Sequence, residues 1–236
     1  MNTSDYTIRD LARREFTSNN PFIPGSDLPM FPENQAFKVK LRASYAFSND
    51  YATYPSGKFY RPSKYPLLGI NYEMGLMGIF GSDVDYSRIS FDLTKTDIKL
   101  GLVGSSAFWL GAGKFLNAKN LYYTDYKHFV GTQTLGYTPR VNSFLYLDYY
   151  NFSTSEQYLE GHVEHNFSGF LFNKLPLLRK LKLNELAGFN YLGTPAANAY
   201  TEFYFGIKFL NFRAMYGWSH LNGRKADSGF RIATGL

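Results

Sequence analysis

A regular alternation of polar and apolar residues in segment 157–167 restricts most strongly what this chain can fold into. One parity is apolar, at Leu159, Val163 and Phe167, and the other is polar, at Glu160, His162, Glu164 and Asn166. Side chains on a β-strand point to opposite faces with a period of two, so the segment is predicted to be a strand with one apolar and one strongly polar face. The apolar face would meet either the core of a soluble sheet or the lipid around an outer-membrane barrel.

The same period recurs along most of the chain and predicts about ten strands. The alternating segments are 37–47, 67–73, 86–97, 106–116, 144–152, 157–167, 182–192, 199–209, 212–220 and 229–236. Strands of about 9–11 residues suit a tilted membrane crossing, whereas soluble strands more often have about five or six residues. Segments 144–152 and 157–167 are predicted to form a hairpin, and Asn222-Gly223 is a strong turn signal. We therefore predict an all-β, antiparallel, transmembrane (outer-membrane) β-barrel over residues 36–236.

Residues 1–35 differ from the rest and are predicted to be a separate segment. Residues 7–16 are compatible with one short helix, and the four prolines in 20–35 indicate a linker or a plug-like stretch. An export signal has a basic start followed by an apolar stretch, and the first 35 residues contain no such pattern. An outer-membrane barrel needs such a signal, so we expect either that the chain is a mature or truncated piece or that it does not form an outer-membrane barrel.

Composition argues against helical membrane spans and against nucleic-acid binding. The mean hydropathy is −0.29, and no apolar run is long enough for a spanning helix, although a barrel conceals its apolar residues by alternation. Aromatic residues make up 19% of the chain, which is typical of strands and of membrane interfaces. The net charge is +6, but the basic residues are scattered and form no recognisable nucleic-acid motif. Cysteine is absent, which excludes disulfides and thiolate metal sites.

The polar parities of the predicted strands carry repeated charges, which we expect to line a wet barrel interior. The lumen-facing candidates are Glu160, His162, Glu164, Asp148, Glu202, Lys208 and Arg213. Two metal-ligand types on one face of a strand do not supply the three or four converging ligands that zinc requires. We therefore expect no metal and no cofactor, and we interpret these residues as a ladder of hydrogen bonds and ion pairs.

A membrane-embedded hydrolase is the main alternative. It would bring a serine and a histidine together near a carboxylate or an amide. The available residues are His128, His162, His165 and His220, with Ser153 or Ser155 close in sequence to Glu160. The nucleophile-elbow pattern GxSxG does not occur, so we assign no catalytic residue.

The most distinctive short motif lies in segment 174–180. Its defining residues are Lys174, Pro176, Arg179 and Lys180. A proline suits the first turn of a helix, and leucines flanked by cations suit a membrane interface, where lysine and arginine reach the headgroups. A loop tucked against the rim of the barrel is an equal interpretation.

Several short motifs follow one another in a fixed order. They are Ser63-Lys64-Tyr65-Pro66, Gly81-Ser82-Asp83-Val84-Asp85-Tyr86, Ala112-Gly113-Lys114-Phe115-Leu116-Asn117, Lys127-His128-Phe129, Leu147-Asp148-Tyr149-Tyr150-Asn151-Phe152-Ser153-Thr154 and the run from Tyr158 to Leu181. Together they resemble the C-terminal part of a family of uncharacterised bacterial outer-membrane proteins, in which a carboxypeptidase-regulatory-like domain precedes a large β-barrel. The resemblance covers residues 36–236 and implies a barrel similar to TonB-dependent receptors or assembly proteins, without catalytic activity.

These observations favour a non-enzymatic outer-membrane protein of a Gram-negative-type cell. Its role would be transport or passage, or membrane anchoring within an envelope complex. The expected partners are outer-membrane lipid and other envelope proteins, and not nucleic acid. The alternatives are a membrane-embedded hydrolase that uses the lumen-facing Glu/His cluster, and a soluble β-barrel or sandwich that binds a ligand.

Overall fold

The computed structural model describes residues 34–48, 51–60, 63–137 and 139–234. The strands in this part of the chain are β1 (Lys38–Ala46), β2 (Tyr51–Tyr54), β3 (Gly57–Tyr60), β4 (Leu67–Gly75), β5 (Asp85–Lys99), β6 (Ser105–Asn120), β7 (Gly136–Tyr137), β8 (Gln157–Asn166), β9 (Asn184–Gly193), β10 (Tyr200–Phe209), β11 (Phe212–Leu221) and β12 (Arg224–Thr234). A single helical turn, α1 (Pro176–Arg179), begins at the proline, as predicted. No helix in the described ranges is long and apolar enough to cross a membrane. The predicted N-terminal helix and most of the linker lie outside the described residues.

Ten of these strands form one sheet, in the order β1-β4-β5-β6-β8-β9-β10-β11-β12-β7. Neighbours pair antiparallel, except that the two residues of β7 lie parallel to β12. Strands β2 and β3 form a separate hairpin. The turn between β11 and β12 has positive φ at Asn222 and Gly223, as a tight hairpin requires. The predictions of an all-β chain and of a large antiparallel sheet of about ten strands are therefore confirmed.

The two faces of this sheet differ in polarity, and the apolar face is the exposed one. In β10, Phe203 and Phe205 are 42% and 53% exposed, whereas Glu202, next to Phe203, is fully buried. In β8, Leu159 is 53% exposed, whereas the adjacent Glu160 is only 2% exposed. Soluble proteins bury large apolar side chains and leave carboxylates in water. This sheet has the reverse arrangement.

Contacts between non-adjacent strands require the sheet to curl around its polar face. Nη1 of Arg213 in β11 lies 3.0 Å from Oε1 of Glu164 in β8, although β9 and β10 lie between these strands. Neighbouring strands are about 4.8 Å apart, so three steps across a flat sheet would separate β8 from β11 by roughly 14 Å. The hydroxyl of Tyr204 in β10 also reaches Glu164, across β9, at 3.2 Å. The polar face is therefore concave and the apolar face convex.

Residues 121–156, between β6 and β8, fold over the concave face and are called the inserted segment. Near its ends, Lys127 and Thr154 exchange two backbone hydrogen bonds with N to O distances of 2.9 and 3.1 Å. Asp125 forms an ion pair with Lys38 of β1, and β7, which belongs to this segment, pairs with β12. The inserted segment thus contacts strands near both edges of the sheet.

The predicted strand at 144–152 is wrong, and with it the predicted hairpin to 157–167. These residues form turns within the inserted segment. Four residues in succession, 144 to 147, are buried, whereas a strand lying on a sheet buries alternate residues. The apparent alternation of this stretch arises in a segment that is enclosed on several sides.

Glycines on the concave face make room for large side chains of the paired strand. Gly188 in β9 is paired with Tyr204 in β10, and Gly113 in β6 is paired with Tyr158 in β8. A Cβ atom added at either glycine would collide with the facing tyrosine ring. Glycine inside a strand often marks such a close approach. Gly188 therefore lets the ring of Tyr204 cross β9 and reach Glu164.

The substitution Gly188→Ala is expected to lower the free energy of unfolding by about 1–3 kcal/mol, because the added methyl group displaces the ring of Tyr204. Urea titration of the folded fraction measures this change. Gly136→Ala is the matched control, since a Cβ atom there meets nothing within 4 Å. Equal stability of the two variants would contradict the packing of Tyr204 over Gly188.

Candidate functional site

A row of polar side chains crosses the concave face from β8 to β11. In the strand register, His162 is paired with Asn190, Asn190 with Glu202, and Glu202 with Ser219. Directly paired residues of neighbouring strands share a face, so these four side chains lie side by side. Each has at most 1% of its surface exposed. This buried row, from His162 to Ser219, is the candidate functional site.

The carboxylate of Glu202 is the centre of the row. Its Oε1 accepts hydrogen bonds from the backbone N–H of Tyr146 and from the hydroxyl of Tyr200, each at 2.8 Å. Its Oε2 accepts from the backbone N–H of Leu145 and from Nδ2 of Asn190, also at 2.8 Å. A buried carboxylate without partners costs several kcal/mol, and four donors replace the water it has lost. Through the two backbone donors, Glu202 also fixes the inserted segment to the sheet.

Hydrogen bonds continue along the row from Glu202 to Glu160. Nδ2 of Asn190 faces two acceptors, the carboxylate of Glu202 and the carbonyl oxygen of Ser143. Its Oδ1 consequently faces Nδ1 of His162, at 2.9 Å. Nε2 of His162 lies 3.1 Å from Oε1 of Glu160. Both ring nitrogens of His162 therefore have an oxygen atom within hydrogen-bond distance.

Glu160 connects the row to the base of the inserted segment. Its Oε2 lies 3.4 Å from Nζ of Lys127. The same ammonium group is 4.9 Å from the ring centroid of Phe129 and 5.1 Å from that of Tyr158. A cation held between a buried carboxylate and two aromatic rings is stabilised from both sides. Lys127 thus balances one of the negative charges that the sheet buries.

Aromatic residues of the inserted segment cover the row and keep water away from it. The ring of Phe144 lies 4.5 Å from that of His162, centroid to centroid. Nε of Arg231 in β12 donates to the carbonyl oxygen of Leu145 at 2.7 Å, and the guanidinium lies 4.7 Å from the ring of Tyr146. Hydrogen bonds in such a dry environment are stronger, and unpaired polar atoms there cost more.

Two clusters of ion pairs flank the row on the concave face. On one side, Nη1 of Arg213 lies 3.0 Å from both carboxylate oxygens of Glu164. On the other side, the carboxylate of Glu73 lies 2.8 Å from Arg88 and 3.4 Å from Lys40. The concave face therefore carries both acidic and basic groups, and opposite charges meet across neighbouring strands at Glu73 and across the curled sheet at Glu164.

The predicted lumen-facing residues have different positions in the structure. Glu160, His162, Glu164, Glu202, Lys208 and Arg213 lie on β8, β10 and β11 with the parity of the concave face. Asp148 lies in no strand, because the strand predicted at 144–152 does not form, and its side chain is exposed in the inserted segment. The interface motif Lys174, Pro176, Arg179 and Lys180 is exposed in the connection between β8 and β9, outside the row.

Sequence analysis missed Asn190, Tyr200 and the backbone donors of the inserted segment. Asn190 lies in the least regular of the predicted strands, and its importance depends on being paired with both His162 and Glu202. Such pairing is a property of the register between strands. No local pattern around Asn190 signals it.

A serine and a histidine meet at the base of the inserted segment. Nδ1 of His128 lies 2.8 Å from Oγ of Ser153, and this hydroxyl donates to the carbonyl oxygen of Tyr150 at 2.7 Å. Burial lowers the pKa of His128 and thereby favours its neutral ring. Both residues belong to the inserted segment, so their contact holds its two ends together.

The Glu160/His162 pair, on which the alternative of a hydrolase was based, is closed to substrates in this conformation. Glu160 is 2% exposed and His162 is 1% exposed, beneath the ring of Phe144. Among the described residues, no group of three or more His, Asp or Glu side chains is placed to hold a metal ion. What the row does in this conformation is hold the inserted segment to the sheet.

A family model described as the C-terminal domain of a family of unknown function, DUF5686, matches residues 1–207. The chain belongs to the DUF5686 C-terminal domain family. Comparison with curated proteins gives no match, and neither does comparison with solved structures. The matched range of the DUF5686 domain contains the whole inserted segment, together with His162, Asn190 and Glu202. The membership agrees with the resemblance to the C-terminal part of an uncharacterised family.

The substitution Glu202→Gln is expected to loosen the inserted segment. Glutamine keeps the size of the side chain, but its NH₂ group is a donor and would face other donors. Hydrogen bonds to a charged acceptor contribute about 1.5–3 kcal/mol, so amide exchange at Leu145 and Tyr146 should accelerate by roughly one to two orders of magnitude. Hydrogen–deuterium exchange with mass spectrometry measures this rate.

The matched control is Glu156→Gln, which removes an exposed carboxylate at the end of the same segment. This variant should leave the exchange at Leu145 and Tyr146 unchanged. If Glu202→Gln also left it unchanged, the carboxylate would not be what holds the inserted segment.

Proposed function

We propose that this chain forms a membrane-spanning β-barrel wall in the outer membrane of a Gram-negative-type cell and acts in the controlled passage of polar solutes, without catalysis. One observation carries the proposal: the exposed convex face of the sheet is apolar and the buried concave face is ionic. Lipid covers the convex face of a barrel wall, and the polar side chains of its strands point to the interior. The buried charges are then paired within the wall and with the inserted segment.

The size of the exposed apolar surface supports lipid rather than water as its surroundings. Its large residues on the long strands include Leu41, Tyr45, Ile70, Phe91, Leu110, Leu159, Val163, Phe203, Phe205, Ile207, Phe230 and Ile232. Burying one such side chain completely is worth about 1.5–3 kcal/mol, and folded domains have a net stability of only about 5–15 kcal/mol. If this whole face were half exposed to water, the stabilising free energy lost would be comparable to the net stability of a folded domain.

The length of the strands also supports a lipid environment for the sheet. The nine long strands have between 9 and 16 residues. A tilted strand needs about 9–11 residues to cross the hydrocarbon core. The longest strands, β5 and β6, exceed this length and would extend beyond the bilayer.

The inserted segment supports controlled rather than free passage. It contacts β1 through Asp125 and β12 through β7, so it extends across the concave side of the wall. Polar contacts hold it, namely Glu202 with two backbone donors and Arg231 with one carbonyl oxygen. Water or a polar solute can supply hydrogen bonds of the same kind to these groups once the segment moves, so displacement of this segment would open a polar path.

Strand direction limits how the wall closes. Strands β1 and β12 are the first and ninth of nine alternating long strands, so they run in the same direction. Direct pairing between them would be parallel, whereas bacterial barrels close with antiparallel pairs and an even number of strands. Antiparallel closure of this wall therefore requires an odd number of further strands.

Single-cysteine variants test the membrane placement cleanly, because the chain has no cysteine of its own. In lipid vesicles, Phe205→Cys is expected to resist a water-soluble maleimide, since lipid covers the convex face. Arg224→Cys, at the exposed first residue of β12, is the control and should react in the same vesicles. After unfolding in urea, both variants should react at similar rates.

A different result would point to the soluble alternative. If the chain were monodisperse without detergent and Phe205→Cys reacted as fast when folded as Arg224→Cys, the convex face would be in water. The barrel proposal would then be abandoned.

Planar bilayers test passage. The parent chain is expected to open rarely, whereas Glu202→Gln should open more often, because the inserted segment loses its central acceptor. Glu156→Gln should behave like the parent. Identical ion conductance in all three chains would mean that the inserted segment does not control passage.

A further inference from the structure

The two ends of the curled sheet differ in charge. One end is formed by the connections β1–β4, β5–β6, β8–β9 and β10–β11 and by the end of β12. The register aligns Ala46 with Leu67, Ser105 with Asn166 and Lys208 with Asn184. We call it the basic end. Its exposed cations include Lys58, Lys64, Lys99, Lys174, Arg179, Lys180 and Lys182, and its exposed acid in the described part of the chain is Asp97.

The connection between β8 and β9 concentrates this charge. Lys174, Arg179, Lys180 and Lys182 fall within nine residues, and all four are exposed. The ion pairs between described residues involve none of them. The acid closest in sequence, Glu185, is buried and accepts the backbone N–H of Phe172. The four cations are therefore available to an external anion.

Exposed apolar side chains accompany the cations at the same end. Leu102 and Leu210, in the turns β5–β6 and β10–β11, are 92% and 72% exposed. Leu171, Leu175 and Leu181 lie among the cations of the β8–β9 connection and are about half exposed. A free phosphate or a soluble acidic partner would leave these leucines in water. A membrane would bury them in the acyl region beneath its headgroups.

The opposite end of the sheet has no such excess of positive charge. Its cations Lys119, Arg140, Arg224 and Lys225 are accompanied by the exposed acids Asp83, Asp148, Glu156 and Asp227. Here the longest connection is the inserted segment, which folds back onto the concave face. The excess of positive charge is thus specific to one end of the sheet, although the chain as a whole has a net charge of only +6.

We propose that the basic end binds the phosphate-bearing headgroups of anionic lipids through Lys174, Arg179, Lys180 and Lys182, with the neighbouring leucines in the acyl region. This inference rests on the proposed membrane placement and adds to it a lipid class and a position. Lysine and arginine near an anionic membrane surface each favour binding, and their effects accumulate. Nζ of Lys174 lies 4.2 Å from the ring centroid of Phe170, which restricts where this cation can reach. The bound headgroups would hold this end of the sheet at one leaflet surface.

The test compares lipid retention by three full-length chains. They are the parent chain, the variant K174Q/R179Q/K180Q/K182Q and the matched control K119Q/R140Q/R224Q/K225Q, which removes the same charge from the opposite end. Each is reconstituted in nanodiscs of equal parts phosphatidylglycerol and phosphatidylcholine and then stripped with mild detergent. Native mass spectrometry counts the lipids that remain bound. The parent chain and the control are expected to retain phosphatidylglycerol roughly tenfold over phosphatidylcholine, and the basic-end variant should lose most of this preference.

Other outcomes would overturn the inference. Equal lipid preference in all three chains would mean that the basic end binds no headgroup, and equal loss in both variants would reduce the effect to net charge. If inorganic phosphate displaced the retained phosphatidylglycerol at millimolar concentration, the site would take a free anion rather than lipid. Chains that remain in nanodiscs without a lipid preference would leave the membrane placement intact, whereas chains that leave the nanodisc fraction would contradict the placement itself.

Discussion

The carboxylate of Glu202 and its four hydrogen-bond donors are the contact on which the rest of the structure depends. Glu202 lies at the middle of the polar row, and two of its donors come from the inserted segment. Without those donors, a charge with no exposed surface would be short of partners, and the segment that excludes water from the row would lose its main attachment. Burial of the charge and attachment of the segment therefore depend on each other.

This mutual dependence follows from the reversed polarity of the sheet. A sheet whose apolar face looks outward obtains no packing energy from a conventional core on that side. Its internal packing comes from the concave side, where Phe129, Phe144 and Leu147 of the inserted segment meet Leu192 and Tyr200 of the strands. The polar groups that surround this small cluster must all be paired, because a half-satisfied buried network is worse than an apolar one. In the chain Lys127–Glu160–His162–Asn190–Glu202, each neighbouring pair is joined by an ion pair or a hydrogen bond.

Sequence alone predicts the strands well because the alternation of polar and apolar residues that identifies a strand lies within the strand itself. The alternation around Leu159 and around Phe203 identifies β8 and β10 and the two faces of each, and Asn222-Gly223 identifies a hairpin. The inserted segment escapes this reasoning, since its burial at 144–147 comes from distant strands and its local pattern imitates a strand. Asp148 was assigned to a strand for that reason. Asn190 was missed because only the register of three strands places it between a histidine and a carboxylate.

The difference in charge between the two ends follows from the paths of the connections between strands at each end. At the end that contains the inserted segment, this segment folds over the concave face, and charged groups such as Lys127 and Asp125 form ion pairs with the sheet. At the basic end the connections are shorter and stay outside, so Lys174 and Arg179 find no acidic partner on the sheet. A charge that has no partner within the protein remains hydrated or meets an ion of opposite sign. For a wall whose convex face lies in lipid, the ions of opposite sign nearest to this rim are the phosphates of the headgroups, so the same folding pattern that fills the interior leaves one rim suited to the membrane surface.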